Sequence, residues 1–301
     1  MRVFVTGASG HIGSAVVPEL LEAGHEVIGL ARSESASARL SALGAEAHRG
    51  DLDDLDGLRA AATQADGVIH LAFKHDLNDI AAAAVFDQRA VDTIGAALEA
   101  SKPFVETSGT LLLAALALGR PGTEADTSDL GPRVGAENAT VAMADRGVRS
   151  SVVRLPPIVH SSLDHHGFTH RLIDTARDTG VSAYVGDGRN RWPSVHTLDA
   201  ARLYRLALEA APAGSRLHGV ADEGIAFADL AAAIGRGLDL PVASIAPRGG
   251  ERALRLPRPA RLTRCTRIER VHPTTARLGT DASRTHRRPE GRPLPPGMTG
   301  V

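Results

Sequence analysis

The feature that most limits what this chain can become is a glycine spacing at its start. Met1-Arg-Val-Phe-Val-Thr-Gly-Ala-Ser-Gly-His-Ile-Gly13 sets Gly7, Gly10 and Gly13 three residues apart, directly after the β-formers Val3, Phe4 and Val5. An apolar segment of helical period follows (Ile12, Val16, Val17, Leu20, Leu21) and stops at Gly24. The reading is strand, tight turn, helix, with Pro18 expected to bend the helix by removing one backbone donor. Without Cβ atoms, Gly7 can make the turn, Gly10 lets backbone approach a pyrophosphate, and Gly13 lets helix and strand pack closely. The phosphate charge would sit at the helix N-terminus. Gly7, Ser9, Gly10, His11, Ile12 and Gly13 are therefore the expected phosphate-side residues.

After Gly24, His25-Glu-Val-Ile-Gly-Leu30 reads as a second strand, whose C-terminal end is where the adenosine ribose of a dinucleotide lies in this arrangement. An acid there would accept the ribose hydroxyls, but the chain offers Ala31-Arg32-Ser33. A guanidinium and a hydroxyl suit a 2′-phosphate, which favours NADP(H) over NAD(H). A solvated Arg in a surface loop is the alternative reading of Arg32. Further strands are expected near residues 45–48, 67–71, 104–107 and 151–155, separated by helices at 54–63, 78–100 and 133–146. Such alternation predicts an α/β fold of the Rossmann type, a doubly wound parallel sheet covered on both faces. From about Pro156 the regular pattern ends, with a short strand and turn expected over residues 182–188, a strand at 217–221 and helices at 198–210 and 227–238. The expected organisation is a dinucleotide-binding domain over residues 1–155, a smaller C-terminal substrate part over 156–247 sharing one body with it, and a tail over 248–301.

Val5-Thr-Gly-Ala-Ser-Gly-His-Ile-Gly13, Gly50-Asp51-Leu52 and Val68-Ile-His-Leu-Ala72 together resemble the short-chain dehydrogenase/reductase superfamily, in its extended or atypical NAD-dependent epimerase/dehydratase branch. The likeness runs from Met1 to about Pro247. It implies that Asp51 and Leu52 lie against adenine, that Leu71, Ala72 and Phe73 line the cofactor channel, and that Thr107 and Pro156 border it. Asp51 reads equally as the N-cap of the helix that follows. The resemblance also implies substrate-side hydroxyls after the fifth strand, here Ser108 and Thr110, and a substrate segment in the second part, here Arg191, Trp192 and His196. Packing for Trp192 and helix capping for Asp199 are the structural alternatives.

One part of the family pattern is missing. Its usual chemistry uses a Tyr and a Lys four residues apart on one helix face, the Tyr passing a proton and the Lys lowering its pKa. This chain has only Tyr184 and Tyr204, both too late in the sequence, and lysines only at 74 and 102. At the place of the pair stand Arg133 and Glu137, with the same spacing. An Arg cannot release a proton near neutral pH, and a Glu cannot stand in for a cation. The two read either as altered catalytic residues or as an i,i+4 ion pair on a helix surface.

Charge and composition narrow the classes. Residues 248–301 hold thirteen Arg and four acids, +9, against −10 for the rest of a chain whose net charge is −1. Arginines at 252, 255, 258, 261, 264, 267 and 270 recur every third residue, a period of neither helix nor strand, and no aromatic residue is there to stack on a base. This pattern predicts a frameshifted segment. Codons for Leu278-Gly-Thr-Asp, read one base later, begin with Trp if Leu278 is CTG and permit Trp-Glu-Pro, which resembles the end of this family. The tail is accordingly expected to be unpatterned and disordered, and nucleic acid is disfavoured as a partner. There is no apolar run of membrane-spanning length, and the single Cys265 fits a reducing cytoplasm. His166 and His170 have the i,i+4 spacing of a metal pair, but Gly167 interrupts and no Glu follows the first His, so no metal site is expected; His166 is read instead as a substrate-loop residue. The first-ranked function is an NAD(P)-dependent oxidoreductase or epimerase/dehydratase-like protein acting on a small carbonyl or alcohol. A catalytically degenerate NADP(H)-binding sensor ranks second, and a nucleic-acid-binding protein third.

Overall fold

A computed structural model describes residues 1–74 and 79–246; the tail expected over 248–301, and with it the frameshift and disorder, lies outside the described residues. Strand and helix alternate through β1 (Arg2–Thr6), α1 (Gly13–Glu22), β2 (Glu26–Ala31), α2 (Glu34–Ala42), β3 (Glu46–Arg49), α3 (Leu55–Gln64), β4 (Gly67–His70), α4 (Ile80–Ala97), β5 (Pro103–Gly109), α5 (Val134–Ala142) and β6 (Arg149–Leu155). The second half holds β7 (Ile158–His160), α6 (Phe168–Thr179), β8 (Ser182–Val185), β9 (Arg191–His196), α7 (Thr197–Ala210), β10 (Ser215–His218), β11 (Asp222–Ala226), α8 (Phe227–Leu238) and β12 (Val242–Ile245).

Seven parallel strands form the main sheet in the order β10-β6-β5-β4-β1-β2-β3. The order reverses between β1 and β4, and the carboxyl ends of the strands open a crevice at that point. Both faces are buried, so the strands are apolar on successive residues. Val3 and Val5 enter one core with Val16, Val17 and Leu20 of α1 and Leu203 and Leu208 of α7. Phe4, between them, enters the other with Leu58 of α3, Val91 and Ile94 of α4 and Met143. α1 runs unbroken through Pro18.

Residues beyond 155 contribute to the core of the first part. After β7, α6, β8 and β9 the chain returns to the first body, where α7 packs beside α1 and β10 pairs with β6. What remains outside the main sheet is a three-stranded sheet, β11-β9-β7, a two-stranded one, β12-β8, and helices α6 and α8 around a third core. Trp192 is the centre of that core, its indole set edge-on between Phe168 and Phe227 at 5.7 and 5.1 Å.

Candidate active site

The turn after β1 is shaped by its glycines. Gly7 has φ +68°, and a Cβ there would lie 2.8 Å from the backbone N of Ala72, so the turn rests directly on the segment leaving β4. A Cβ on Gly13 would collide with the carbonyl O of Gly7, which is how closely α1 folds back on the turn. Gly10 differs: a Cβ there meets only Gly7 O, at 3.2 Å, and otherwise projects into open space. α1 has Ile12 as its N-cap residue, with no side-chain cap and no acid in its first turn, leaving its amide end available to an anion. After β3, at the edge of the sheet, Asp51 Oδ1 is buried with no hydrogen-bond partner among the described residues, an acceptor suited to an exocyclic amine. The open space at Gly10, the uncapped helix start and the unpartnered Asp51 oxygen are compatible with a dinucleotide at this turn. The helix after Asp51 is capped by Asp54, which accepts from Gly57 N at 2.9 Å, so the capping alternative for Asp51 is corrected.

Arg32 stands exposed at the end of β2, and Ser33 caps α2, accepting from Ala36 N at 3.2 Å. His11 joins the turn to the second half of the chain. Its Nε2 lies 2.9 Å from Thr197 Oγ1 and its Nδ1 3.7 Å from Asp164 Oδ1, while Asp164 also accepts from the amides of His166 and Gly167. Burial lowers the His11 pKa against the opposing pull of Asp164.

Arg133 and Glu137 are not a surface ion pair, and that expectation is overturned. α5 enters the sheet with Arg133 as its N-cap residue and Glu137 one turn in, and each meets its own buried partners. Arg133 Nε donates to Asp87 Oδ2 at 3.3 Å and Nη2 to Glu106 Oε1 at 3.4 Å, with the guanidinium 4.5 Å from the centre of the Phe73 ring. Glu137 is 2% exposed; it receives Arg154 through Nε at 3.1 Å and Nη2 at 2.5 Å, and Arg216 Nε at 2.8 Å. Burial works against its charge, but the bonds from Arg154 and Arg216 hold its pKa below the usual carboxylate range.

Behind Arg133 runs a chain of buried polar groups. Thr6 Oγ1 accepts from Ala72 N at 3.2 Å and lies 2.8 Å from His70 Nδ1; His70 Nε2 lies 3.2 Å from Asp87 Oδ1. Thr6, His70, Asp87 and Glu106 are at most 1% exposed. None of the four stood among the expected site residues. A signal was present: parallel strands buried on both faces are near-continuous apolar runs, and Val68-Ile-His70 and Phe104-Val-Glu106 break that rule. Of the expected hydroxyls, Thr107 is bonded within the fold, donating to His70 O at 2.7 Å and lying 2.8 Å from Tyr204 Oη. Ser108 and Thr110 are buried at the end of β5, their hydroxyls without a hydrogen-bond partner among the described residues. Leu71, Ala72 and Phe73 are half-buried along the crevice edge, and Leu52 and Pro156 are buried.

The expected substrate residues do not converge as a set. Trp192 is 4% exposed and serves the third core, which settles it as a packing residue. His196 caps α7 through Nδ1, accepting from Leu198 N at 3.3 Å, and stacks edge-on with His160; capping therefore falls to His196 and not Asp199. Arg191 is exposed, its Nε donating to Gly224 O, and His166 is exposed beside His165. His170 pairs with Asp174 instead of His166, and no group of three metal-ligating side chains occurs among the described residues. An apolar cavity of about 390 Å³ lies elsewhere, between α6, α8 and β12, lined by Leu172, Phe227, Leu230, Ile234 and Ile245. No helix among the described residues is long and apolar enough to cross a membrane.

With this geometry in place, three comparisons bear on it. Residues 3–110 match the model of the NAD dependent epimerase/dehydratase family. An uncharacterized protein of Schizosaccharomyces pombe is 48% identical over 248 residues, covering 81% of this chain and 83% of that one. A 2-alkyl-3-oxoalkanoate reductase of Stenotrophomonas maltophilia is 28% identical over 233 residues, 73% of this chain and 69% of that one. In fold, the chain is similar to the dTDP-glucose 4,6-dehydratase DesIV of Streptomyces venezuelae, crystallised with NAD and TYD, at TM-score 0.68 and 20% identity over 83% of this chain and 86% of that one.

Proposed function

The chain belongs to the NAD-dependent epimerase/dehydratase family of short-chain dehydrogenases/reductases, and from that premise we propose that it moves hydride between NADP(H), in preference to NAD(H), and a small carbonyl or alcohol. The observation that carries this reading is the glycine turn, where Gly7 and Gly13 are locked against backbone and only Gly10 opens outward, at the uncapped start of α1. The similarity to a reductase of 3-oxoalkanoates supports a carbonyl as the group acted on.

The cofactor, when bound, supplies or accepts the hydride. The chain's own residues do the rest. The turn at Gly10 and the start of α1 hold the phosphates, Asp51 accepts from the adenine amine, and Arg32 with the capped start of α2 takes the 2′-phosphate. Arg133 replaces the usual Tyr as the polar group at the crevice. Permanently charged, it stabilises negative charge developing on a substrate oxygen without giving up a proton. Glu137, held ionised by Arg154 and Arg216, is a positioning residue that holds these two guanidiniums. The single cysteine supports a reducing cytoplasm as the working compartment.

Calorimetric titration with NADPH, followed by turnover on a panel of ketones and secondary alcohols, tests the reading. Gly10→Val fills the space of the phosphate and should abolish binding; unchanged affinity would put the cofactor elsewhere. Tight binding with no turnover on any member of the panel would favour the sensor reading over the enzyme.

A further inference from the structure

Resting on the nicotinamide reading above, we propose that Glu106 is a proton-holding group of this site: its carboxyl keeps a proton in the free protein and releases it when an oxidised nicotinamide cofactor binds in the crevice. The grounds are a charge imbalance built into the fold. Two buried acids, Asp87 of α4 and Glu106 of β5, converge on the single guanidinium of Arg133, at 3.3 and 3.4 Å. Both are at most 1% exposed, and two carboxylates facing one cation away from water retain a proton between them.

The neighbours decide which acid keeps it. Asp87 accepts from Arg133 on one oxygen and meets His70 Nε2 on the other, so its anion is bonded at both ends. Glu106 has Arg133 on Oε1, while Oε2 is buried without a hydrogen-bond partner among the described residues. None of the other charged or titratable groups facing Glu106 gives its Oε2 a hydrogen bond. Glu137 of α5 repels its anion, and Arg154 of β6 is committed to Glu137. His70 is its register partner on β4, with Nδ1 and Nε2 turned to Thr6 and Asp87. Tyr204 of α7 is buried and holds its own proton. Burial accordingly raises the Glu106 pKa, helped by Asp87 and Glu137 and opposed by Arg133 and Arg154.

Its place in the sheet links this proton to the cofactor. Glu106 lies midway along β5, beside His70 at the carboxyl end of β4, and from there the chain runs on into the crevice segments Thr107 to Thr110 and Leu71 to Phe73. An oxidised nicotinamide ring carries a positive charge that the reduced ring lacks. A second cation near the pair of acids removes the reason for the retained proton, and Glu106–COOH becomes Glu106–COO⁻ plus one proton passed to solvent. In carbonyl reduction, which consumes one hydride and one proton and leaves the ring oxidised, the same ionisation balances the new charge.

The experiment is calorimetric titration of the full chain with NADP⁺ and with NADPH near neutral pH, in buffers of different ionisation enthalpy, which counts protons exchanged per cofactor bound. NADP⁺ should release about one proton more than NADPH, and Glu106→Gln should bind both and lose the difference. Equal proton counts, or a difference that survives in Glu106→Gln, overturn the proposal while leaving cofactor binding intact. Absence of binding by either cofactor overturns the parent reading as well. A measurement on the unaltered protein guards against a misfolded variant. Infrared difference spectra should lose a protonated-carboxyl carbonyl band on adding NADP⁺ and keep it on adding NADPH, and no change in that band would also overturn the assignment.

Discussion

Arg32 is exposed at the end of β2, beside a helix start already capped by Ser33, so its removal costs the fold little. In Arg32→Ala, NADPH should bind more weakly by ~1.5–3 kcal/mol, roughly tenfold to 150-fold, with NADH nearly unchanged. Equal losses in a fluorescence titration would remove Arg32 from cofactor selection. His218 makes a second prediction. Burial, with Arg154 beside it, lowers its pKa to about 3. The unfolded chain then binds a proton that the folded one refuses between the ordinary histidine value and about 3, so this group removes stability as pH falls through that window. Glu106, raised by burial, acts in the opposite direction, its contribution lost as pH rises above the ordinary carboxylate value. His218→Gln should therefore flatten the acid side of a plot of urea midpoint against pH; an unchanged slope would remove His218 from the cause. Sequence spacing revealed where Arg133 and Glu137 lie but not whom they meet. Their partners Asp87, Glu106, Arg154 and Arg216 stand 46, 27, 17 and 79 residues away and come together only through strand order.

Elements with strong periodicity were legible, and those held by few contacts were not. The strand, turn and helix at the start read correctly because each glycine answers to a different contact, and the final helix, Phe227–Leu238, was expected with the bounds it has. α2 buries only Ala36 and Leu40, too little to leave an apolar stripe in Glu-Ser-Ala-Ser-Ala-Arg-Leu-Ser-Ala. α6 buries only Leu172, Thr175 and Ala176, and its polar sequence reads as a histidine-bearing loop. The choice between substrate residue and packing residue for Trp192 stays open in the sequence because nothing local shows that Phe168 and Phe227, far apart in sequence, close on its two faces. Trp192→Ala should cost about 3–5 kcal/mol, measured by circular dichroism in urea, and should loosen α6 and α8 before the main sheet. As the only tryptophan, Trp192 in the unaltered chain should report that loosening by a red shift of its emission. A loss under about 1 kcal/mol would place the third core's stability elsewhere.

At the scale of the molecule, the charge asymmetry between the first 247 residues and the rest is explained if the two are read in different frames of one gene. The expected outcome is a gene whose sequence, read one base later after about codon 247, encodes an apolar-patterned end containing Trp-Glu-Pro. A gene with no such alternative frame would leave the arginine period to another cause. The order of the main sheet carries a further consequence, in time rather than in space. β6 is finished at Leu155, but its outer neighbour β10 begins only at Ser215, after β7, α6, β8, β9 and α7 have been made. On a ribosome adding ~5–20 residues per second, the intervening sixty or so residues take roughly 3–12 s. Throughout that interval Arg149–Leu155 is a nascent sheet margin with one row of amides and carbonyls open to any passing strand.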